Sequence, residues 1–351
     1  MRYWLSSRIP VPIKLKIRQV ANNTTLGFAR MFSQNGFLAS LYYTFFNRQF
    51  YREHKAVLHG RLVYQRSVNN MQQSSALLRR NIHRLEKGLI MRPRRPVFAL
   101  DYLDETISCF EKALHTPDFC REELQWANDV LEEYFSVVAE QPVISAAKRK
   151  FEQLKRPTST EAVPYAYAEL GVADCSYQQL MTLMQRRRSV RWFLQKAVDK
   201  ELLNLACQAA TTAPSACNRQ PYQFFVMHGA EAVDVAKCAM GTIGFADNFP
   251  CVVAVVGDLS SYPAERDRHV IYIDASLAAM QFMLALETLG LSSCPINWPD
   301  IEQREQQLSK MLNLEYHQRT VMLLAIGYAD PEGGIAYSQK KSHSLLFRDI
   351  S

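Results

Sequence analysis

Two short clusters carry residue types able to do chemistry. The first, Arg186-Arg187-Arg188-Ser189-Val190-Arg191, sets four guanidinium groups around one hydroxyl. A guanidinium is a permanently charged, planar fork of donors, a shape that suits phosphate oxygens. The second, Pro214-Ser215-Ala216-Cys217-Asn218-Arg219-Gln220-Pro221, offers the hydroxyl of Ser215 and the amides of Asn218 and Gln220. These groups donate and accept at once, as the polar edge of a heteroaromatic ring requires. An arginine run by itself is more often a solvated face. Run and turn together point to a phosphorylated, planar cofactor.

The elements that must hold these clusters are legible around them. Asp199 reads as an N-cap, and Leu202, Leu203, Ala206, Ala209 and Ala210 form a helical apolar stripe that stops before Pro214. One rigid helix therefore spaces the two clusters. A helix from Ser176, apolar at Leu180, Met181, Leu183 and Met184, places Arg186 to Arg188 in its last turn, where cations complement the helix dipole. Downstream, residues 224–227, 251–256 and 321–327 read as buried strands. Residues 272–289 form a long helix, apolar on nearly every face and stopped at Gly290, which must be buried centrally or in a subunit interface.

Arg187 to Phe193 and Pro214 to Pro221 resemble two motifs of the nitroreductase family of FMN-dependent oxidoreductases, Arg-Arg-Ser-x-Arg-x-Phe and Pro-Ser-x-x-Asn-x-Gln-Pro. The resemblance covers residues 175–347 and implies an α+β fold with a mixed central sheet flanked by helices. It implies that Arg187, Arg188, Ser189 and Arg191 bind the FMN phosphate, and that Pro214, Ser215, Asn218 and Gln220 line the ring. Pro295, Ile296 and Asn297 resemble the segment that sets backbone N–H groups beside the flavin, with that of Asn297 facing N5. Trp298 stands where many relatives carry Gly, so its bulk is expected to narrow access to the ring. Lys341 and His343 resemble the C-terminal Lys-x-Arg that completes the phosphate site, His343 supplying one donor instead of a fork. The resemblance further implies a homodimer whose sites draw on both chains. The implied reaction is ping-pong: NAD(P)H as co-substrate gives hydride to FMN, and a small electron-poor acceptor takes the electrons, with protons from solvent and no catalytic side chain. The competing reading is a non-catalytic adaptor on a membrane or acidic polymer, with a degenerate flavin fold serving for dimerisation, as Trp298 and His343 suggest.

Composition bounds the rest. The chain has 351 residues, 48% hydrophobic, enough for two ordinary domains. Its eight cysteines show no C-x-x-C spacing, which points to no zinc site and no disulfide framework and fits a reducing cytoplasm. No apolar run approaches a membrane span, and no signal peptide is evident at the N-terminus. Residues 1–100 hold 18 Lys and Arg against two acids, Glu53 and Glu86, a balance of +16. Such a block implies an anionic partner, and the interleaving of Phe37, Phe45, Phe46, Phe50 and Tyr51 with Arg48 and Arg52 suggests a helix that either lies on an anionic membrane or packs on the protein. No nucleic-acid reader motif accompanies the charge. Residues 9–17 are expected to be extended, 77–88 a basic helix ending at Gly88, and 103–154 three helices. The predicted organisation is a basic, mainly helical region over 1–100, a helical segment and linker over 101–170, the linker at 156–169, and a flavin-binding domain over 171–351.

Overall fold

The computed structural model describes residues 27–67, 71–156 and 162–350, together with Pro10, Pro12, Ile13 and Lys16. The chain divides into two compact units, residues 1–55 with 300–302, and residues 56–299 with 303–351.

In the first unit, α1 (Gly36–Phe45) starts at Asn35, whose side chain accepts from the Leu38 N–H. The helix stops at Phe46, and Asn47 caps a separate short turn, Arg48–Phe50. The single helix expected across 37–51 is thus broken, because an Asn side chain bonds to the backbone two residues on and competes with helix continuation. Phe28, Phe32, Tyr42 and Phe46 pack ring against ring. No residue of α1 is buried. Of the stretch 9–17, only Pro10, Pro12, Ile13 and Lys16 are described; Pro12, Ile13 and Lys16 are helical, not extended. Proline is tolerated in a first helical turn, where its missing N–H would have no partner.

In the second unit, α2 (Tyr51–Ser67) contributes from Ala56 onward. A helical layer follows: α3 (Ala76–Leu89), α4 (Leu103–His115), α5 (Arg121–Val137) and α6 (Pro142–Gln153). Their apolar residues recur three and four apart, so each helix turns one stripe onto a common core of Leu78, Ile82, Leu85, Ile107, Phe110, Leu131 and Tyr134. Each such side chain is worth about 1.5–3 kcal/mol on burial. Gly88 does not end α3. It lies inside the helix, and the Phe98 ring occupies the space a Cβ would need, so the glycine serves close packing and Ile90 closes the helix. Of the expected linker at 156–169, residues 157–161 lie outside the described residues, and the rest holds no more than a short turn, Tyr167–Glu169.

The C-terminal part holds α7 (Tyr177–Arg186), α8 (Lys200–Thr211), β1 (Tyr222–His228), α9 (Gly229–Cys238), β2 (Cys251–Asp258), α10 (Val270–Thr288), β3 (Ser292–Asn297), α11 (Glu302–Leu312) and β4 (Gln318–Gly327). The sheet order is β1-β2-β4-β3, and every ladder is antiparallel. Among the described residues, the parallel component of the expected mixed sheet is confined to one isolated bridge, Ser189 to Ser293. Alternation sorts the strand side chains. Val252, Ala254, Leu323 and Ala325 face the core under α9 and α11, while Val253, Val255, Leu324 and Ile326 face α8 and α10.

α10 spans the second face. Ala275, Ala278, Ala279, Phe282, Met283 and Leu286 are buried against the sheet and α8. By length and composition alone it could cross a bilayer, which corrects the expectation that no run approaches that length, although it packs here as a core helix. Its other side leaves Ile273, Leu277 and Met280 exposed at 57%, 42% and 37%, a stripe at helical spacing.

Candidate functional site

The arginine cluster is positioned by the end of one helix and the edge of the sheet. α7 begins at Ser176 in a reciprocal cap with Gln179 and closes at Arg187, where the backbone turns extended. The chain then runs beside β3, with the Val190 N–H donating to the Ser293 carbonyl at 3.1 Å. Val190 and Phe193 are buried. Arg187, Ser189 and Arg191, two residues apart, are half-buried and converge on Cys294 of β3. Burial pushes the Cys294 thiol up, opposed by the nearby Arg191 and Arg187 guanidiniums and a hydrogen bond with Ser189. Asn248 fixes the segment from the other side, donating to the Arg191 carbonyl at 2.8 Å and accepting from the Phe193 N–H at 3.4 Å. Among the described residues, Arg187, Arg188 and Arg191 form no salt bridge. Arg186 does, with Glu287 at 3.6 Å. Burial raises the Glu287 carboxyl, which Arg186, Ser292 and Arg187 oppose, and its Oε1 is buried without a hydrogen-bond partner.

The polar turn is strained. Cys217, Asn218 and Gln220 have φ of 54°, 50° and 49°, left-handed values that cost a non-glycine residue about 1–3 kcal/mol each. Hydrogen bonds hold them. Asp274, 2% exposed on α10, accepts from the Ser215 hydroxyl at 2.6 Å and from the Ala216 N–H at 2.9 Å through the same oxygen. The Ser215 hydroxyl in turn accepts from the Gln220 N–H at 2.8 Å, and the Gln220 amide donates to the Thr211 carbonyl at 3.2 Å. Ser215 and Gln220, read from sequence as ring contacts, are thus engaged in building the turn. Pro214 is exposed and Asn218 half-buried. The Asn218 carbonyl accepts from Arg79 Nε at 2.7 Å.

The third segment is β3 itself, which pairs with β4 and was expected only as a site segment. Its alternation leaves Pro295 and Asn297 exposed and buries Cys294 and Ile296. Trp298 does not narrow this face. It is 8% exposed, packs in the core beneath α11, and its indole N–H donates to Glu305 at 2.6 Å. Lys341 and His343 stand on an exposed tail, where the His343 carbonyl accepts from the Leu346 and Phe347 N–H groups. The single chain therefore gathers Arg187, Ser189 and Arg191 at one end of α10 and the turn at the other. Asp274 and Glu287, missed in the sequence, mark those ends. Their signal was available, since they are the two charged residues in a helix otherwise free of charge.

Comparison with known proteins finds likeness over the C-terminal part of the chain. Residues 184–243 and 239–328 match the sequence model of the Nitroreductase family. A Bacillus subtilis protein named as an NAD(P)H nitroreductase, YdgI, is 27% identical over 195 residues, covering 45% of this chain and 91% of that protein. Human iodotyrosine deiodinase 1 is 22% identical over 218 residues, 52% of this chain and 73% of its own. Among solved structures, an FMN-dependent nitroreductase from Clostridium difficile matches with a TM-score of 0.39 and 24% identity, over 45% of this chain and 92% of its own. A structure from Desulfovibrio desulfuricans, named as a nitroreductase in complex with FMN, matches with a TM-score of 0.42 and 21% identity, over 48% and 96%.

Proposed function

We propose that the chain is an FMN-dependent oxidoreductase. The observation that carries this reading is the convergence of Arg187, Ser189 and Arg191, half-buried and without salt-bridge partners, on the edge of β3. Two guanidiniums that form no salt bridge among the described residues, together with a hydroxyl, fit a phosphate that carries nearly two negative charges. Bound FMN would accept a hydride from NADH or NADPH and pass electrons to an electron-poor organic acceptor in a second half-reaction, in ping-pong order. The chain's residues hold and orient: Arg187, Arg188, Ser189 and Arg191 at the phosphate, the Pro214–Pro221 turn and the exposed Pro295 and Asn297 edge of β3 at the ring. The Cys294 thiol, pushed up by burial, stays protonated and unreactive at neutral pH. Lys341 and His343 on an exposed tail are candidates to complete the phosphate site. The adaptor reading loses one of its two supports, because Trp298 is tucked into the core.

We infer a homodimer as well, a reading supported by the spacing of the anchors. Asp274 and Glu287 lie thirteen residues apart on α10, about 20 Å of helix. A two-fold partner packed antiparallel on Ile273, Leu277 and Met280 would bring one chain's arginines toward the other's turn and complete two sites from both chains. The first unit supports a peripheral role: α1 is apolar yet has no buried residue, and residues 1–100 carry a balance of +16. An anionic membrane surface in a reducing cytoplasm, where eight free cysteines persist, fits that chemistry. The test of the main reading is whether the purified full chain carries flavin.

A further inference from the structure

The turn has a second support outside the family match. Glu123 on α5 is 2% exposed and accepts three hydrogen bonds: from the Ser74 hydroxyl at 2.7 Å, the Ser75 N–H at 3.0 Å and Arg79 Nη1 at 3.1 Å. Arg79 on α3 also lies over the Trp126 ring, 5.4 Å from its centroid. Its Nε then reaches the Asn218 carbonyl at 2.7 Å, across 139 residues of sequence. A buried carboxylate orients a guanidinium, and that guanidinium pins one carbonyl of a turn whose φ values at Cys217, Asn218 and Gln220 are unfavourable. Asp274 grips the front of the same turn through Ser215 and Ala216. The turn is clamped between two buried acids, one acting directly and one through Arg79.

We propose that Arg79, oriented by Glu123, is a positioning residue for the Pro214–Pro221 turn, so that the helical layer α3–α6 is a working part of the cofactor site. This rests on the flavin reading, because the consequence for binding assumes that the turn lines FMN. Arg79 acts through the backbone of the turn. It fixes the Asn218 carbonyl, and with it the backbone that presents the Asn218 side chain. Without that fixed partner the left-handed residues can relax, and the turn must be reordered each time it binds.

The experiment uses the full chain and three variants, Arg79→Met, Arg79→Lys and Tyr134→Phe. Tyr134 lies in the same layer, its hydroxyl donating to the Phe98 carbonyl at 2.8 Å, away from the turn, so its variant reports a general loosening of the layer. Hydrogen exchange is measured on flavin-free protein, then FMN affinity by fluorescence titration and the visible circular dichroism of the bound flavin. In Arg79→Met, exchange at the Ala216 and Gln220 amides should quicken selectively. FMN affinity should fall roughly ten- to fiftyfold, the scale of one lost charge-assisted bond, with an altered flavin dichroism. Arg79→Lys, which keeps one cationic donor, should recover part of the affinity, and Tyr134→Phe should leave both readouts at the parental values. Exchange at the turn unchanged in Arg79→Met would overturn the proposal, as would an equal loss of affinity in Tyr134→Phe. Parental protein that binds no FMN would sink the flavin reading and leave the exchange result to decide the clamp alone.

Discussion

Arg187 and Arg191 are the side chains on which cofactor affinity should turn. Each charge-assisted contact to a phosphate is worth about 1.5–3 kcal/mol, so Arg187→Ala and Arg191→Ala should each weaken FMN binding by roughly ten- to a hundredfold, read by titration calorimetry on flavin-free protein. Unchanged affinity in both would remove the phosphate assignment. These arginines could be singled out in the sequence because the polar turn accompanies them; an arginine run alone is more often a solvated face. The partners of the turn were not. Asp274, Arg79 and Glu123 reach it across 58 or more residues, and their roles depend on the fold bringing a carboxylate or guanidinium to a backbone group that any residue could supply. For Ser215 the sequence showed a hydroxyl able to face a ring, and only the structure shows it bound to Asp274.

Among the elements, α10 ties the account together, anchoring the turn near its start and the arginine segment near its end. Met283 is 6% exposed at its centre, so Met283→Glu would bury an unpaired charge and should cost about 3–5 kcal/mol, releasing partner and flavin together. Light scattering and flavin fluorescence on the variant read both. A parental chain that is a flavin-loaded monomer would contradict the shared site. Most elements here could be read from the sequence, since β1, β2 and β4 are apolar runs and the helices repeat at three and four. β3 escaped because Pro295 and the serines hide its alternation, and a proline is admissible there because β3 lies at the sheet edge. Gly88 was misread for a similar reason: a glycine that ends a helix and one that admits a neighbouring ring look alike in sequence.

At the scale of the whole molecule, the family match accounts for residues 184–328, and the preceding layer contributes a core of its own that touches the turn. The charge block of residues 1–100 should bring the full chain down with anionic liposomes at low salt, an association that fades as salt screens it and is absent with neutral vesicles. Sedimentation indifferent to lipid charge would count against the docking role. Everything said of the site depends on the cofactor, so the most direct measurement is the visible spectrum of the purified full chain before and after anaerobic addition of NADH or NADPH. The account predicts a yellow protein that releases FMN on denaturation, bleaches with the nicotinamide, and recovers its colour when an electron-poor acceptor is added afterwards. A folded, colourless protein that takes up no added FMN would contradict it.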